Sequence, residues 1–498
     1  MSSSTTLLVA IGIPAAAAVL IALAGRRPNL REAVTLTAAA AMFLTVASLA
    51  PDVFAGARPA TGAWSVLPGV ELRLALEPLG MIFGLIASFL WIVNSLYSIG
   101  YMRGNDEPRQ TPYYVCFAVA LAAALGIAFS ANLFTLFLFY ELLTLSTYPL
   151  VVHKQTPEAL RAGRLYLLML IGSSIVLLLT AIIWVYVRAG TGDFQPGGIV
   201  RDVFSPGELG ILLALFAFGI GKAGLMPMHR WLPAAMVAPT PVSALLHAVA
   251  VVKAGVFVVL KVVVYVFGTD VLAATGASTW LMYVAAASLV LASVIALTKD
   301  NLKARLAYST VSQLAYVVLA GAMASKWSVI GGGMHIAMHA FGKITLFFCA
   351  GAIYTALHKT EISEMRGIGR TMPITMFCFF IGALSVTGLP PGGGTWSKWY
   401  LTVAAMDADR LILAGALMLS TLLNVAYFMP IVARAFFVPL PRAVSVGAAA
   451  APHGEHSGIK EAPWPCLAAI CVTAAGCLVL FFMADEIYAW LEPLTRKP

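Results

Sequence analysis

Three titratable residues at helical spacing lie in an apolar part of the sequence. His335, His339 and Lys343 follow one another at i, i+4 and i+8, which predicts that they share one helix face. Histidine titrates near physiological pH, so such a row is suited to passing protons through intervening water. His335 and His339 could also bind a metal. No carboxylate or thiolate lies within a turn or two to act as a third ligand, so we predict no metal.

A second group of basic residues interrupts the apolar stretch 221–257, where several prolines break the helix, among them Pro227. A charge at the bilayer centre costs ~2.5–3.5 kcal/mol on insertion scales and usually marks an ion or substrate path. Broken helices occur at membrane depth where they are buried in protein or line a watery cavity. We therefore predict a proton or cation route here, although residues near a membrane boundary could also be snorkelling side chains. The basic residues are Lys222, His229, Arg230, His247 and Lys253.

Glu141 is a carboxylate within the apolar segment 137–151. It is expected either to bind a cation or to pair with a base on another helix, for which Lys222 is the natural candidate. Alternatively, it could stay neutral and hydrogen-bonded in the core. His247 and Lys253 are six residues apart, about 120° around a helix, so they could face two neighbouring cavities. His247 could alternatively satisfy the broken backbone near Pro241.

The composition is that of a polytopic membrane protein. The chain has 498 residues, of which 60% are hydrophobic and 11% charged, and its mean hydropathy is +0.90. No length remains for a sizeable soluble domain. The net charge of +9 comes mostly from short loops, which fits the positive-inside rule and not nucleic-acid binding. The sequence contains neither a nucleotide-binding glycine loop nor a Cys-x-x-Cys pair, so we expect no cofactor and a transporter subunit without catalytic chemistry of its own.

Hydropathy predicts an all-α protein with about fourteen transmembrane helices. The spans near 328–356 and 372–405 are too long for one straight crossing, and breaks are expected in both. Basic residues are concentrated in the loops after odd-numbered spans, which predicts that both termini face away from the cytoplasm. The predicted spans are 5–25, 33–50, 78–100, 112–129, 131–152, 162–187, 207–229, 241–267, 279–298, 304–323, 328–356, 372–405, 410–436 and 465–491.

A repeat is visible in the positions of lysine and proline. Lys222 precedes Pro227, and Lys398, about 176 residues later, follows Pro390 and Pro391. Two interrupted helices in corresponding positions indicate a transporter built from repeats. We predict two inverted repeats of five helices, with helices 7 and 12 broken. The predicted divisions are 1–110 for helices 1–3, 111–268 and 269–436 for the two half-channels, and 437–498 for a loop and helix 14.

The loop predicted at 438–464 contains His453 and His456. A metal site there is conceivable, but its content of Pro, Ala and Gly favours a floppy polar connection.

Several motifs between Glu77 and Tyr400 resemble the antiporter-like subunits shared by respiratory complex I and the Mrp-type multisubunit cation/proton antiporters. Lys253, in HAVAVVKAGVF, is similar to the Mrp-type pattern, and the chain length resembles that of the D-type Mrp subunits. The run Gly392–Gly394 departs from the family's commoner sequence. The motifs are FYELLTLSTYP around Glu141, KAGLMPMHRWLPAAMVAPTPVSALLH from Lys222, RLAYSTVSQLAY from Arg305, HIAMHAFGKITLFFCAG from His335 and GLPPGGGTWSKWYL ending at Leu401.

The resemblance implies a role for each of these residues. Glu141 and Lys222 match the paired carboxylate and lysine of the first half-channel, and His247 matches the histidine of the central relay. His335, His339 and Lys343 match its continuation, and Lys398 matches the residue leading to the exit.

The leading hypothesis is therefore a proton-translocating subunit of a cation/proton antiporter in the plasma or inner membrane, with Na⁺ as the exchanged ion and other subunits as partners. The alternatives are a pumping subunit of an NADH–quinone or hydrogenase-type complex and a proton-driven module for inorganic-carbon uptake. The sequence does not identify the cation, the stoichiometry or the partner subunits.

Overall fold

The computed structural model describes residues 3–67, 69–439 and 458–495, which are mostly helical. Twelve helices within these ranges are long and apolar enough to cross a membrane. Two shorter apolar helices in the same ranges, Pro206–Gly219 and Pro373–Thr387, are the first parts of broken segments. Together with the twelve longer helices they make fourteen segments, the number that the sequence predicts. The all-α polytopic prediction is confirmed.

The segments are named in chain order and begin and end at the following residues. They are α1 Ser3–Leu23, α2 Pro28–Phe54, α3 Pro78–Gly104, α4 Gln110–Ala128, α5 Leu133–Val151, α6 Pro157–Ala189, α7 Pro206–Gly219, α8 Thr240–Phe267, α9 Thr279–Leu297, α10 Leu302–Met323, α11 Lys326–Leu357, α12a Pro373–Thr387, α12b Gly394–Asp407, α13 Leu411–Phe437 and α14 Trp464–Phe482. A further short helix, Ala484–Leu491, follows α14, so the predicted span 465–491 is two helices.

The centre of the bundle is formed by α8, α10 and α11. The most apolar part of α8 is completely buried, and that of α10 and α11 is 94% buried, against 33% and 28% for α1 and α2. A helix that is hydrophobic all round belongs in the interior of a bundle. The ionisable residues in the middle of these helices, from His247 to Lys261 in α8 and from His335 to Lys343 in α11, are therefore held inside protein and away from lipid.

Both predicted interruptions of helices 7 and 12 lie close to a lysine. α7 ends at Gly219, and Lys222 lies in the single 3₁₀ turn Gly221–Ala223 that follows. The interruption thus begins before Lys222, several residues earlier than Pro227. The second interruption lies between α12a and α12b and contains Pro390 and Pro391.

The break expected in the span 328–356 is wrong. α11 is one continuous helix of 32 residues, about 48 Å long at 1.5 Å per residue. Its glycines serve close packing instead of bending. A Cβ atom on Gly331 would lie 3.1 Å from the side chains of Tyr400 and Leu401, and one on Gly333 would lie 2.9 Å from Leu491.

One feature was not predicted. A two-stranded antiparallel hairpin, β1 Trp64–Leu67 and β2 Val70–Leu72, lies before α3.

Basic residues at the end of the bundle that carries this hairpin are largely neutralised by acidic partners. The pairs are Arg73–Asp193 at 3.9 Å, Arg188–Glu208 at 3.0 Å, Lys326–Glu492 at 3.1 Å and Arg201–Asp270.

The orientation, the repeat boundaries and the four predicted divisions of the chain stay predictions. His453 and His456 lie outside the described residues.

Candidate functional site

The polar centre of the protein is a row of side chains that crosses from α8 through α11 to α12b. Lys253 Nζ lies 2.5 Å from Nδ1 of His339. The rings of His339 and His335 are stacked with centroids 5.4 Å apart, and His335 Nδ1 lies 2.9 Å from Oγ of Ser397. All four residues are at most 2% exposed. The fold therefore joins a lysine and two histidines from separate parts of the sequence into one buried row.

Tyr316 on α10 connects this row to Lys398. Its ring stacks on His335 at 5.3 Å, and Lys398 Nζ lies 4.7 Å from the centroid of the same ring. Lys398 Nζ also donates to the carbonyl oxygen of Thr387 at 2.9 Å. Thr387 is the last residue of α12a, so the ammonium binds a carbonyl that the interrupted helix leaves free. This contact explains why the lysine lies beside the break.

Lys343 does not continue the row, although the spacing placed it on the same face. Its Nζ donates to Ser309 Oγ at 2.7 Å and to the carbonyl oxygen of Leu306 at 3.2 Å, both on α10. Tyr427 on α13 also donates to Ser309 Oγ, at 2.9 Å. A separation of eight residues rotates a side chain by about 80° around a helix, which is enough to turn Lys343 from α12b toward α10. Lys343 therefore begins a branch toward α13.

His247 is buried in a π-turn of α8, Leu245–Val249, and its ring lies 5.0 Å from that of Phe347. Neither ring nitrogen has a hydrogen-bond partner among the described residues. The ring therefore does not satisfy the backbone near Pro241. A buried, unbonded imidazole is costly unless it has a function or an occasional partner.

Lys222 is bound by α5, but not through Glu141. Its Nζ donates to the carbonyl oxygen of Tyr140 at 2.8 Å and to Thr144 Oγ1 at 2.6 Å, and it lies over the Tyr140 ring. No direct ion pair between Lys222 and Glu141 exists within 4 Å in the described part of the chain. The expected direct contact is thus not formed, because adjacent helix positions differ by about 100° in direction.

Glu141 is half-buried, and the face of α5 that carries it also exposes Leu138, Leu142 and Leu145. Its Oε1 is buried without a hydrogen-bond partner among the described residues.

Sequence reasoning missed two further buried groups. Glu77 and Lys261 form an ion pair at 3.1 Å, and the spacing of Lys261 eight residues after Lys253 could have signalled it. At the other end of the bundle, Glu107 and His153 approach within 3.8 Å and are both largely buried. Both groups consist of residues distant in sequence.

Metal binding is not indicated by the geometry. Within residues 3–67, 69–439 and 458–495, no three His, Cys, Asp or Glu side chains cluster so that they could hold an ion, and the six cysteines are free.

Residues 130–424 match the family described as NADH:quinone oxidoreductase/Mrp antiporter, TM. This range covers more than half of the chain and contains every residue of the row. The chain belongs to this family. Its members provide the antiporter-type membrane subunits to which the sequence motifs pointed.

Two curated relatives illustrate the breadth of the family. The chain is 28% identical to NADH-quinone oxidoreductase subunit N of Desulforudis audaxviator, over 84% of both chains. It is 30% identical to hydrogenase-4 component B of Escherichia coli, over 85% of this chain but 63% of that protein. The chain thus spans less than two thirds of the second relative.

Two solved structures share the fold over nearly the whole length. A chain of the Mrp complex from Dietzia sp. DQ12-45-1b superposes with a TM-score of 0.83 at 20% identity, over 99% of this chain and 97% of that one. A chain of an archaeal membrane-bound sulfane sulfur reductase superposes with a TM-score of 0.85 at 21% identity, over 99% of this chain and 98% of that one.

Proposed function

We propose that this chain translocates protons as the D-type membrane subunit of a multisubunit Na⁺/proton antiporter. The observation that carries the proposal is the buried row Lys253, His339 and His335, which links the central helix α8 to the interrupted helix 12. Groups that titrate and lie within or near hydrogen-bond distance are what a proton relay requires. Among the described residues, none of these three basic side chains forms an ion pair with a carboxylate, and burying them in this way would be costly in a core that is only structural.

Protons would move along the row as follows. At 2.5 Å, one of the two nitrogens of Lys253 and His339 must donate and the other accept, so the pair holds a shared hydrogen. Stacked imidazoles do not hydrogen-bond to each other directly, so the step from His339 to His335 goes through water or through a ring rotation. The last step, from His335 to Lys398, passes the Tyr316 ring that contacts both side chains, so it also goes through water.

Lys222 is the corresponding group of the first half-channel. Its ammonium is held by neutral oxygens of Tyr140 and Thr144, so its charge is not cancelled by direct pairing. Glu141, on the adjacent position of α5, can attract or release that charge when its own protonation changes. This toggle would couple cation exchange to proton uptake, with the plasma membrane and additional subunits as the setting.

A second candidate is a pumping subunit of an NADH–quinone or hydrogenase-type complex. It is favoured by the curated relatives, which are subunits of such enzymes. The same relay would serve an antiporter and a pumping enzyme complex. The two kinds of complex differ in the energy source that drives proton movement.

The test uses the complete complex in inverted vesicles from cells that lack their own antiporters. A pH gradient is imposed, and recovery of a pH-sensitive dye is measured on addition of NaCl, with choline chloride as the control. The antiporter proposal expects Na⁺-dependent recovery that Lys253→Ala abolishes. Proton movement that requires NADH or another reductant, without a response to Na⁺, would support the second candidate instead.

A further inference from the structure

Glu77 and Lys261 form a buried ion pair at the end of the bundle where α3 begins. Oε1 of Glu77 lies 3.1 Å from Nζ of Lys261, and the side chains are 10% and 1% exposed. Lys261 Nζ also donates to the carbonyl oxygen of Ser130 at 2.9 Å. A third oxygen, the carbonyl of Ala128 at the end of α4, lies 3.5 Å from the ammonium. Neither residue has a role in the relay described above.

Capping of α3 does not explain the pair. Oε2 of Glu77 accepts from the backbone N–H groups of Leu79 and Gly80, at 2.8 and 3.1 Å, which satisfies the first turn. A neutral Asn or Ser would cap as well and would need no lysine. Burying two opposite charges is often no more stabilising than burying apolar side chains of similar size. The lysine therefore calls for a further explanation.

Tyr265 contacts both the pair and a neighbouring cavity. Its hydroxyl lies 3.3 Å from Oε2 of Glu77 and can donate to it. The same tyrosine lines a cavity of about 240 Å³ whose other walls include the charged residues Arg58, Asp270 and Lys326. Lys326 is exposed, so this cavity belongs to the aqueous end of the bundle. Tyr265 therefore lies between this cavity and the Glu77–Lys261 pair.

On its inner side the pair is separated from the relay by two packed aromatic rings, those of Phe257 and Phe83. Lys253, Phe257 and Lys261 are spaced by four residues along α8, each about 6 Å further along the axis and 40° further around it. The Phe257 ring lies 5.4 Å from Lys261 Nζ and packs against Phe83 of α3 at 4.9 Å. Both rings are at most 1% exposed. They form an apolar plug between the two lysines.

We propose that Glu77, Lys261 and Tyr265 form a proton-exchange site facing the non-cytoplasmic side, closed toward the relay by the Phe83–Phe257 plug. Lys261 gives its proton to Glu77, which converts the ion pair into a neutral amine and a neutral acid, and Glu77 releases the proton to the cavity beside Tyr265. Movement of Phe257 then allows Lys261 to take a new proton from the direction of Lys253. This inference deepens the proposed antiporter function and rests on it.

The first experiment measures access without relying on transport. Lys261→Cys is prepared in the assembled complex and treated with a membrane-impermeant methanethiosulfonate ammonium reagent in right-side-out and inverted vesicles. Labelling is read on the peptide by mass spectrometry, so the native cysteines do not interfere. Met236→Cys is the matched control, because Met236 lines a cavity at the opposite end of the bundle.

Position 261 should label in right-side-out vesicles and position 236 in inverted ones. Lys253→Cys should stay unlabelled from the 261 side until Phe257→Ala is added. Absence of labelling at 261 from the outer side, or equal labelling from both sides, overturns the proposal. If Lys261→Cys fails to assemble because Glu77 loses its partner, Tyr265→Cys and the double variant Lys261→Cys with Glu77→Gln test the same access.

The second experiment measures transport in the same vesicles. Glu77→Gln keeps the oxygen that caps α3 but cannot exchange a proton, and it should lose most of the cation-driven proton movement. Arg188→Gln removes an exposed ion pair at the same end, away from the cavity, and should transport normally. Wild-type transport by Glu77→Gln overturns this inference alone. A wild-type complex that shows no cation-driven movement overturns the antiporter function, and the labelling pattern then still decides whether the site faces outward.

Discussion

Lys253 Nζ and His339 Nδ1 lie 2.5 Å apart, although 86 residues separate them in the sequence. At this distance two protonated nitrogens cannot face each other, because each would present a hydrogen to the other. The pair therefore holds one shared hydrogen and cannot be doubly charged without moving apart. This gives Lys253 the partner that its own helix does not supply.

Lys253→Ala should abolish Na⁺/proton exchange or shift its pH optimum while the complex still assembles. Removal of the amine leaves His339 without its neighbour and interrupts the row. The measurement is Na⁺-dependent dye recovery as a function of pH in vesicles from antiporter-deficient cells. An unchanged pH profile would show that Lys253 is structural.

His339→Ala should reduce transport by about 10²-fold or more, the scale of positioned acid–base groups. Because His339 and Lys253 act as a unit, the double variant Lys253→Ala/His339→Ala should be no worse than either single variant. His358→Ala, at the exposed end of the same helix, is the control. Additive losses in the double variant would contradict a shared step.

Lys222→Ala and Lys398→Ala should each reduce transport severely, since each lysine lies at one interrupted helix. Lys222→Arg and Lys398→Arg should not restore it, because arginine keeps its charge and cannot exchange a proton. Lys460→Ala, at an exposed lysine, should behave as wild type. High activity in the arginine variants would mean that the lysines act as fixed charges.

Glu141→Ala should abolish antiport with the complex still assembled, and Glu141→Asp should keep part of the activity. The carboxylate is half-buried and makes no direct ion pair with Lys222 in the described residues, so its loss creates no unpaired ammonium. Leu142→Ala, on the exposed face of the same helix, is the matched control. Assembly is measured by native gel, and normal Na⁺ exchange in Glu141→Ala vesicles would remove this residue from the mechanism.

The cluster of Glu107 and His153, in the loops outside the membrane-spanning segments, predicts a dependence of stability on pH. Burial lowers the pKa of His153, and Arg109 lowers it further. The unfolded chain therefore binds a proton at this residue more readily than the folded one. The stability that the neutral ring contributes is lost as pH falls through the ordinary histidine pKa of about 6.5 toward the lowered value. His153→Gln removes this loss.

Glu107 acts in the opposite direction. Burial raises the pKa of its carboxyl, so the stability it contributes is present at low pH and is lost as pH rises through the raised pKa. The melting temperature of His153→Gln, relative to wild type, should increase as pH is lowered from about 7 to 5, because the variant lacks the loss of stability that protonation of His153 causes. A constant difference across this range would show that His153 keeps the same protonation in both states.

The sequence by itself determined which segments enter the membrane and which residues in them need an explanation. Helix formation in lipid depends on the apolar length of a segment, which a single sequence displays directly. A lysine or histidine inside such a segment is visible for the same reason. Lys222, Lys253 and His339 were therefore predicted as functional residues without knowledge of the fold.

Only the tertiary structure decided which of these residues meet. The separation of eight residues between His335 and Lys343 predicted a common face, but the rotation of about 80° sends them to different neighbours. Likewise, Lys222 contacts the position beside Glu141, and Glu77 meets Lys261 from 184 residues away. Periodicity fixes directions within one helix. The rotation and depth of one helix against another depend on packing of the whole bundle, which decides the partner of each charge.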